Sequence, residues 1–128
     1  MRLLLDTHAF LWWIEGNQRL PARVRRAIQD ERNTKFVSAA SAWEITTKYR
    51  LGKLPEASEL APSVAGAIDG EGFEELPITV EDGARAGALP ELHRDPFDRI
   101  LIAQAILNDL TLVSGEGLFD RYGVQRLW

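Results

Sequence analysis

The 128-residue sequence has no cysteine and no long apolar run, and it carries no excess of positive charge. The missing cysteine excludes a disulfide framework and any thiolate zinc site, and it fits a reducing cytoplasm. The N-terminal stretch RLLLDTHAFLWWI is interrupted by Asp6 and His8. It falls well short of the roughly 20 residues a membrane span needs, so neither a span nor a targeting segment is expected. The net charge is −4 and the pI about 5.2. General polyanion binders are usually basic, so any nucleic-acid contact must come from local basic clusters. No internal repeat or low-complexity tract occurs.

What is present is a globular composition, 45% hydrophobic and 27% charged. The length suits a single domain over 1–128. RLLL (2–5) reads as a buried strand, and HAFLWWIEG as a helix stopping at Gly16. Residues 20–31 form a second helix with Pro21 near its start. KFVSA (35–39) is a strand and 41–54 a helix ended by Gly52 and Pro55. A weaker helical stretch follows at 57–72, with Pro62 and glycines inside it. Strand 73–78 leads to a helix at 79–89 opened by Thr79. After a loop at 89–96 comes the clearest helix, 97–110, then strands at 111–115 and 124–128. Strands alternating with helices predict an α/β fold, a mostly parallel sheet covered on both faces.

Ligand sites in such sheets form at the carboxyl ends of the strands. Asp6 follows the first strand, Glu44 begins the helix after the second, and Glu116 follows TLVS. Asp98 opens the long helix, and the alternating order alone is expected to put that helix start at the opposite edge. Each acid also has a purely structural explanation. Asp6 or Thr7 suits an N-cap, Ser41 and Glu44 match a capping box, and Asp95-Pro96-Phe97-Asp98 reads as cap, N1 and N3. Glu116 and Asp120 suit loop or solvent-facing acids. Taken together, however, several carboxylates near a buried, tryptophan-rich neighbourhood are costly unless paired or bound to a cation. Mg²⁺ or Mn²⁺ reconciles them, being hard ions that prefer oxygen. Such a site positions water for in-line attack on a phosphodiester and neutralises the leaving oxygen.

Three stretches, LLLDTHAFLWW, SAASAWEITTKYRLGKL and HRDPFDRILIAQA with LVSGEGLF, resemble the PIN-domain ribonucleases, nearest the VapC-type toxins of toxin–antitoxin pairs. The resemblance runs in order along nearly the whole chain. It implies a three-layer α/β/α sandwich around a mostly parallel sheet, in which the Asp98 helix is brought to the other acids. It implies a catalytic set of Asp6, Glu44, Asp98 and Glu116 around Mg²⁺ or Mn²⁺, with Asp6 and Asp98 as the metal ligands. The fourth position is usually aspartate, so Glu116 is one methylene longer, with Asp120 a weaker substitute. Thr7 is implied to bond a carboxylate or a water on the ion, while Asp95 and Arg99 support the site. Arg99 also has the i, i+4 spacing to pair with Asp95. His8, at the start of an apolar helix, and His93, in a polar loop, are not expected to be catalytic.

The implied activity is cleavage of RNA by a toxin of a type II toxin–antitoxin module. The implied partners are an RNA substrate, a VapB-type antitoxin and a second copy of the chain. Lys48, Arg50, Lys53, Arg94 and Arg99 are the local cations available to RNA. Trp12 and Trp13 are expected in the core, or in part on a dimer or antitoxin surface. A PIN-like domain that has lost catalysis and binds RNA or protein is the alternative, kept open by Glu116. A phosphoacceptor receiver domain fits less well, since FEELPIT lacks an acceptor aspartate and VQRLW a lysine.

Overall fold

Leu3, Leu4 and Leu5 are all fully buried. Successive strand residues point to opposite faces, so three consecutive buried leucines require a sheet covered on both sides. The structure, a computed structural model describing residues 1–128, has that sheet. Its strands are β1 (Arg2–Leu5), β2 (Thr34–Ser38), β3 (Glu74–Leu76), β4 (Thr111–Val113) and β5 (Arg126–Leu127). They run in the order β3-β2-β1-β4-β5, and every pair is parallel. Leu3 and Leu5 belong to a core with Phe10, Val24, Ile28 and Ile45, whereas Leu4 joins Leu101, Ile102, Leu112 and Phe119 on the other side. Each such side chain contributes about 1.5–3 kcal/mol by leaving water.

The helices are α1 (Thr7–Glu15), α2 (Ala22–Gln29), α3 (Ala39–Arg50), α4 (Val64–Gly70), α5 (Val80–Ala88) and α6 (Pro96–Asn108). This three-layer α/β/α arrangement agrees with the expected fold class. The weak helical signal at 57–72 resolves into 3-10 turns at Pro55–Ala57 and Ala61–Ser63, followed by the short α4. Pro62 sits in the second turn, where a missing backbone N–H costs little. The helix expected from residue 41 begins earlier, because Ser38 is its N-cap, accepting from the Ala40 N–H. Ser41 and Glu44 therefore lie inside α3 and do not form a capping box. No helix is long and apolar enough to cross a membrane.

Asp98 does lie at the edge shared by the other acids, contrary to the expectation from alternation. A helix leading into a parallel strand runs antiparallel to it, so α6 must start where β4 ends. The 89–95 connection is a turn between antiparallel helices. Arg99, near the start of α6, reaches the carbonyls of Ala86 and Leu89 at the end of α5, while Gln104 reaches Asp82 near its start. Arg99 holds this connection. Its guanidinium donates five hydrogen bonds, two to Ala86 O and one each to the carbonyls of Leu89, Pro90 and His93. The expected side-chain pairing of Arg99 with Asp95 is not formed. Buried Gln104 of α6 adds a bond to Asp82 Oδ2 at 3.1 Å, fixing α6 against α5.

Candidate active site

The strand order reverses between β1 and β4, and the crevice beyond their carboxyl ends is where open parallel sheets form sites. Asp6 stands at the end of β1, its N–H donating to Val113 O of β4 at 3.0 Å. Its carboxylate caps α1, accepting from the Ala9 N–H at 2.7 Å. Only 8% of Asp6 is exposed. Burial pushes its pKa up and nearby Glu44 adds to that, while the Ser114 hydroxyl, the Ala9 N–H and His8 pull it down.

Glu44 is 4% exposed and held from both sides. Thr7 donates its hydroxyl to Glu44 Oε1 at 2.5 Å and lies 3.0 Å from the Ser41 hydroxyl. Lys48, one turn further along α3, pairs with Oε2. Burial works against the Lys48 ammonium, but Glu44, Asp95 and Asp98 outweigh it and raise its pKa. One face of α3 thus presents Ser41 and Glu44 to Thr7 of α1, and carries the Lys48 ammonium that pairs with Glu44.

Asp98 sits at the third position of α6. Asp95 is the N-cap, accepting from the Phe97 and Asp98 N–H groups, and Pro96 opens the helix, as expected. Asp98 is therefore free to face the crevice. Burial, then the charges of Asp95, Glu44 and Asp6, drive its pKa up to about 7 against the opposing pull of Lys48. These couplings put Asp6, Glu44 and Asp98 within one electrostatic cluster. His93 Nε2 lies 2.9 Å from Asp98 Oδ2, close enough for an ion pair but not aligned as a hydrogen bond.

Glu116 is placed differently. It shares a cleft of about 410 Å³ with Asp6, His8, Trp12, Gly115 and Trp128. Its carboxylate accepts from the Leu118 N–H at 3.0 Å, capping the 3-10 turn Gly117–Tyr122. It thus stands at the rim of the cleft, exposed, and its charge acts on Arg126. Asp120 is turned away, paired with Arg126 at 2.8 Å.

Three polar residues were not singled out as site members from the sequence: Ser41, Ser114 and His93. Two of them have signals in it. Ser41 lies three residues before Glu44, so both share a helix face. Ser114 follows Val113, the register partner of Leu5, which places it opposite Asp6. His93 is positioned by the Arg99-bound connection, which local pattern does not reveal.

No three of these side chains converge tightly enough to form a ready-made metal cage. Mg²⁺ is usually held by one or two carboxylates, with the remaining ligands from water and substrate. Glu44 is committed to Thr7 and Lys48, so buried Asp6 and half-buried Asp98 are the acids available. An oxygen-only pair whose charge is costly without a counter-ion fits a hard divalent cation.

The PIN domain family profile matches residues 3–125. Ribonuclease VapC16 of Mycobacterium tuberculosis is 64% identical over 31 residues, 24% of this chain and 22% of that protein. The matched part is about a fifth of that relative's length. The solved structure of VapBC2 from Rickettsia felis bound to a DNA fragment from their promoter superposes with a TM-score of 0.69. That alignment is 18% identical and covers 99% of this chain and 98% of the other, a likeness of fold. With the profile spanning almost every residue, the chain belongs to the PIN-domain family.

Proposed function

We propose that this PIN domain is a divalent-metal-dependent endoribonuclease, the VapC-type toxin of a type II toxin–antitoxin module, acting in the cytoplasm. The observation that carries the reading is the cluster of Asp6, Glu44 and Asp98. Three separate elements deliver these acids to one crevice, where Glu44 makes charge on Asp6 and Asp98 more costly and Asp6 adds to the cost on Asp98. The name of the M. tuberculosis relative supports RNA as substrate, and the R. felis complex supports a VapB-type antitoxin as partner. A homodimer is part of the proposal.

Asp6 and Asp98 would hold Mg²⁺ or Mn²⁺. The ion, when bound, supplies Lewis-acid polarisation of the phosphodiester and a low-pKa water as nucleophile. The chain's own residues set the stage. Thr7 and Lys48 fix the two oxygens of Glu44, so this carboxylate is oriented beside the other two. In the metal-free site burial and the neighbouring carboxylates raise the Asp98 pKa to about 7, so uptake of the cation would displace its proton. The Asp95 cap and the Arg99 clamp keep Asp98 in place.

Expression of the wild type is expected to arrest growth, and expression of Asp98→Asn is not. Equal toxicity of the two would refute the reading. A second reading, a PIN domain that binds without cutting, is favoured by the diversion of Glu116 into a helix cap. Calorimetry separates the two: a binding-only domain takes up no Mn²⁺, whereas the nuclease does, and Asp6→Asn loses it.

A further inference from the structure

We propose that Trp12, Trp128, Arg19 and Arg23 form the track along which single-stranded RNA leaves the acid cleft. Bases stack on the indoles and phosphates meet the two guanidinium groups. The inference rests on the nuclease reading of the acids and adds the path of the substrate.

The cleft that holds Asp6 and Glu116 is walled by Trp12 and Trp128. A second hollow of about 330 Å³ is lined by Arg23, Arg126, Leu127 and the same Trp128. Trp128 thus borders both hollows and lies between Asp6 and Arg23. The rings of Trp12 and Trp128 lie 5.9 Å apart, and His8 meets the edge of Trp12 at 6.0 Å. Arg19 sits over Trp12, its Cζ 5.7 Å from the ring centre. Both indoles are half-buried, with one part packed on the core and the rest facing water.

Gly115 is what lets Trp128 settle there. A Cβ at position 115 would stand 2.9 Å from Trp128 Cε2. The charge on this face is also specific. Arg126 is spent on Asp120 and on Ser114 O, whereas Arg19 and Arg23 are exposed and form no ion pair. Two cations without an ion pair beside a tilted pair of half-exposed indoles, in a chain of net charge −4, match the alternation of phosphate and base in a single strand.

The test is the binding of 5′-labelled octauridylate to the full chain in EDTA, followed by fluorescence anisotropy at several salt concentrations. Trp128→Leu is expected to weaken binding roughly 5- to 150-fold, the range for loss of one stacked base. The Arg19→Ala, Arg23→Ala double variant, which alters only exposed side chains, is expected to weaken it and to flatten the salt dependence. The slope of log K against log salt should fall in magnitude by about 1.4, about 0.7 per phosphate. A purely structural loss would not move that slope. Both variants binding like wild type with an unchanged slope would overturn the track. So would a wild type that binds no RNA, or variants that keep RNA and lose only the purified antitoxin, which would mark a protein-docking face. Cleavage assayed in parallel keeps the two readings apart. Wild-type cleavage with unaltered variant binding sinks the track alone, and weakened variant binding without any cleavage sinks the nuclease alone.

Discussion

Replacing Asp98 by asparagine is expected to stabilise the metal-free protein while abolishing its chemistry. The folded-state pKa of about 7 stands above the ordinary 3.8. The native state therefore holds a proton that the unfolded chain has released, and stability falls as pH rises from about 4 to about 7. At 1.36 kcal/mol per unit, an ionised Asp98 costs about 4 kcal/mol at pH 8. At pH 4 the acid is protonated in the native state and the cost is about 1 kcal/mol or less. Asparagine mimics the neutral acid, and part of the gain is lost with the His93 contact. A net gain of about 2–4 kcal/mol at pH 8 corresponds to roughly 5–15 °C in a domain of this size. Differential scanning calorimetry in EDTA at pH 4 and pH 8 measures it. Mn²⁺ at pH 8 should then raise the wild-type Tm and leave that of the variant nearly unchanged. A variant no more stable than wild type at pH 8, or one equally favoured at both pH values, would refute the reasoning.

Three further outcomes are expected. Thr7→Val leaves the buried Oε1 of Glu44 without its donor and should cost about 1–3 kcal/mol in urea unfolding, with Thr7→Ser largely restoring it. A loss under about 0.5 kcal/mol would show that this bond is not made. Arg99→Lys replaces a fork that reaches four carbonyls with one point charge. Hydrogen exchange should accelerate over 89–95 while the β1–β4 core stays protected, and uniform protection would contradict the clamp. Glu116→Ala should reduce RNA cleavage less than about 10-fold, since this carboxylate caps a turn at the rim. A loss comparable to that of Asp98→Asn would return it to the catalytic set.

The parallel sandwich was legible because the signals of its elements are local. The RLLL run, the Asp95-Pro96 start and the Thr79 cap with Asp82 each carry their own backbone logic. Asp95 as the helix cap was readable from one turn. The same letters also fit Asp98 as a plain N3 acid, and only the distant acids Asp6, Glu44 and Glu116 argued for a separate role. Ser41 misled for the same reason. Its spacing to Glu44 satisfies a capping rule, yet Ser38 takes the cap and frees Ser41 to meet Thr7. The position of the Asp98 helix depends on strand direction, a non-local property. A helix leading into a parallel strand starts at that strand's carboxyl edge, which the order of elements alone does not display. His93 and the fork of Arg99 were hidden in the 89–95 connection, where geometry comes from carbonyls rather than from pattern. The Trp12–Trp128 pair joins residues at the two ends of the sequence, which only the sheet order brings together.

The most direct measurement is cleavage of a labelled RNA with Mg²⁺ or Mn²⁺ by wild type, Asp6→Asn and Asp98→Asn, each checked by circular dichroism. Metal-dependent cleavage by wild type, its loss on adding EDTA, and its loss by at least about 100-fold in both folded variants are expected. Full activity in both variants, or wild-type cleavage that persists in EDTA, would contradict a metal-assisted carboxylate site.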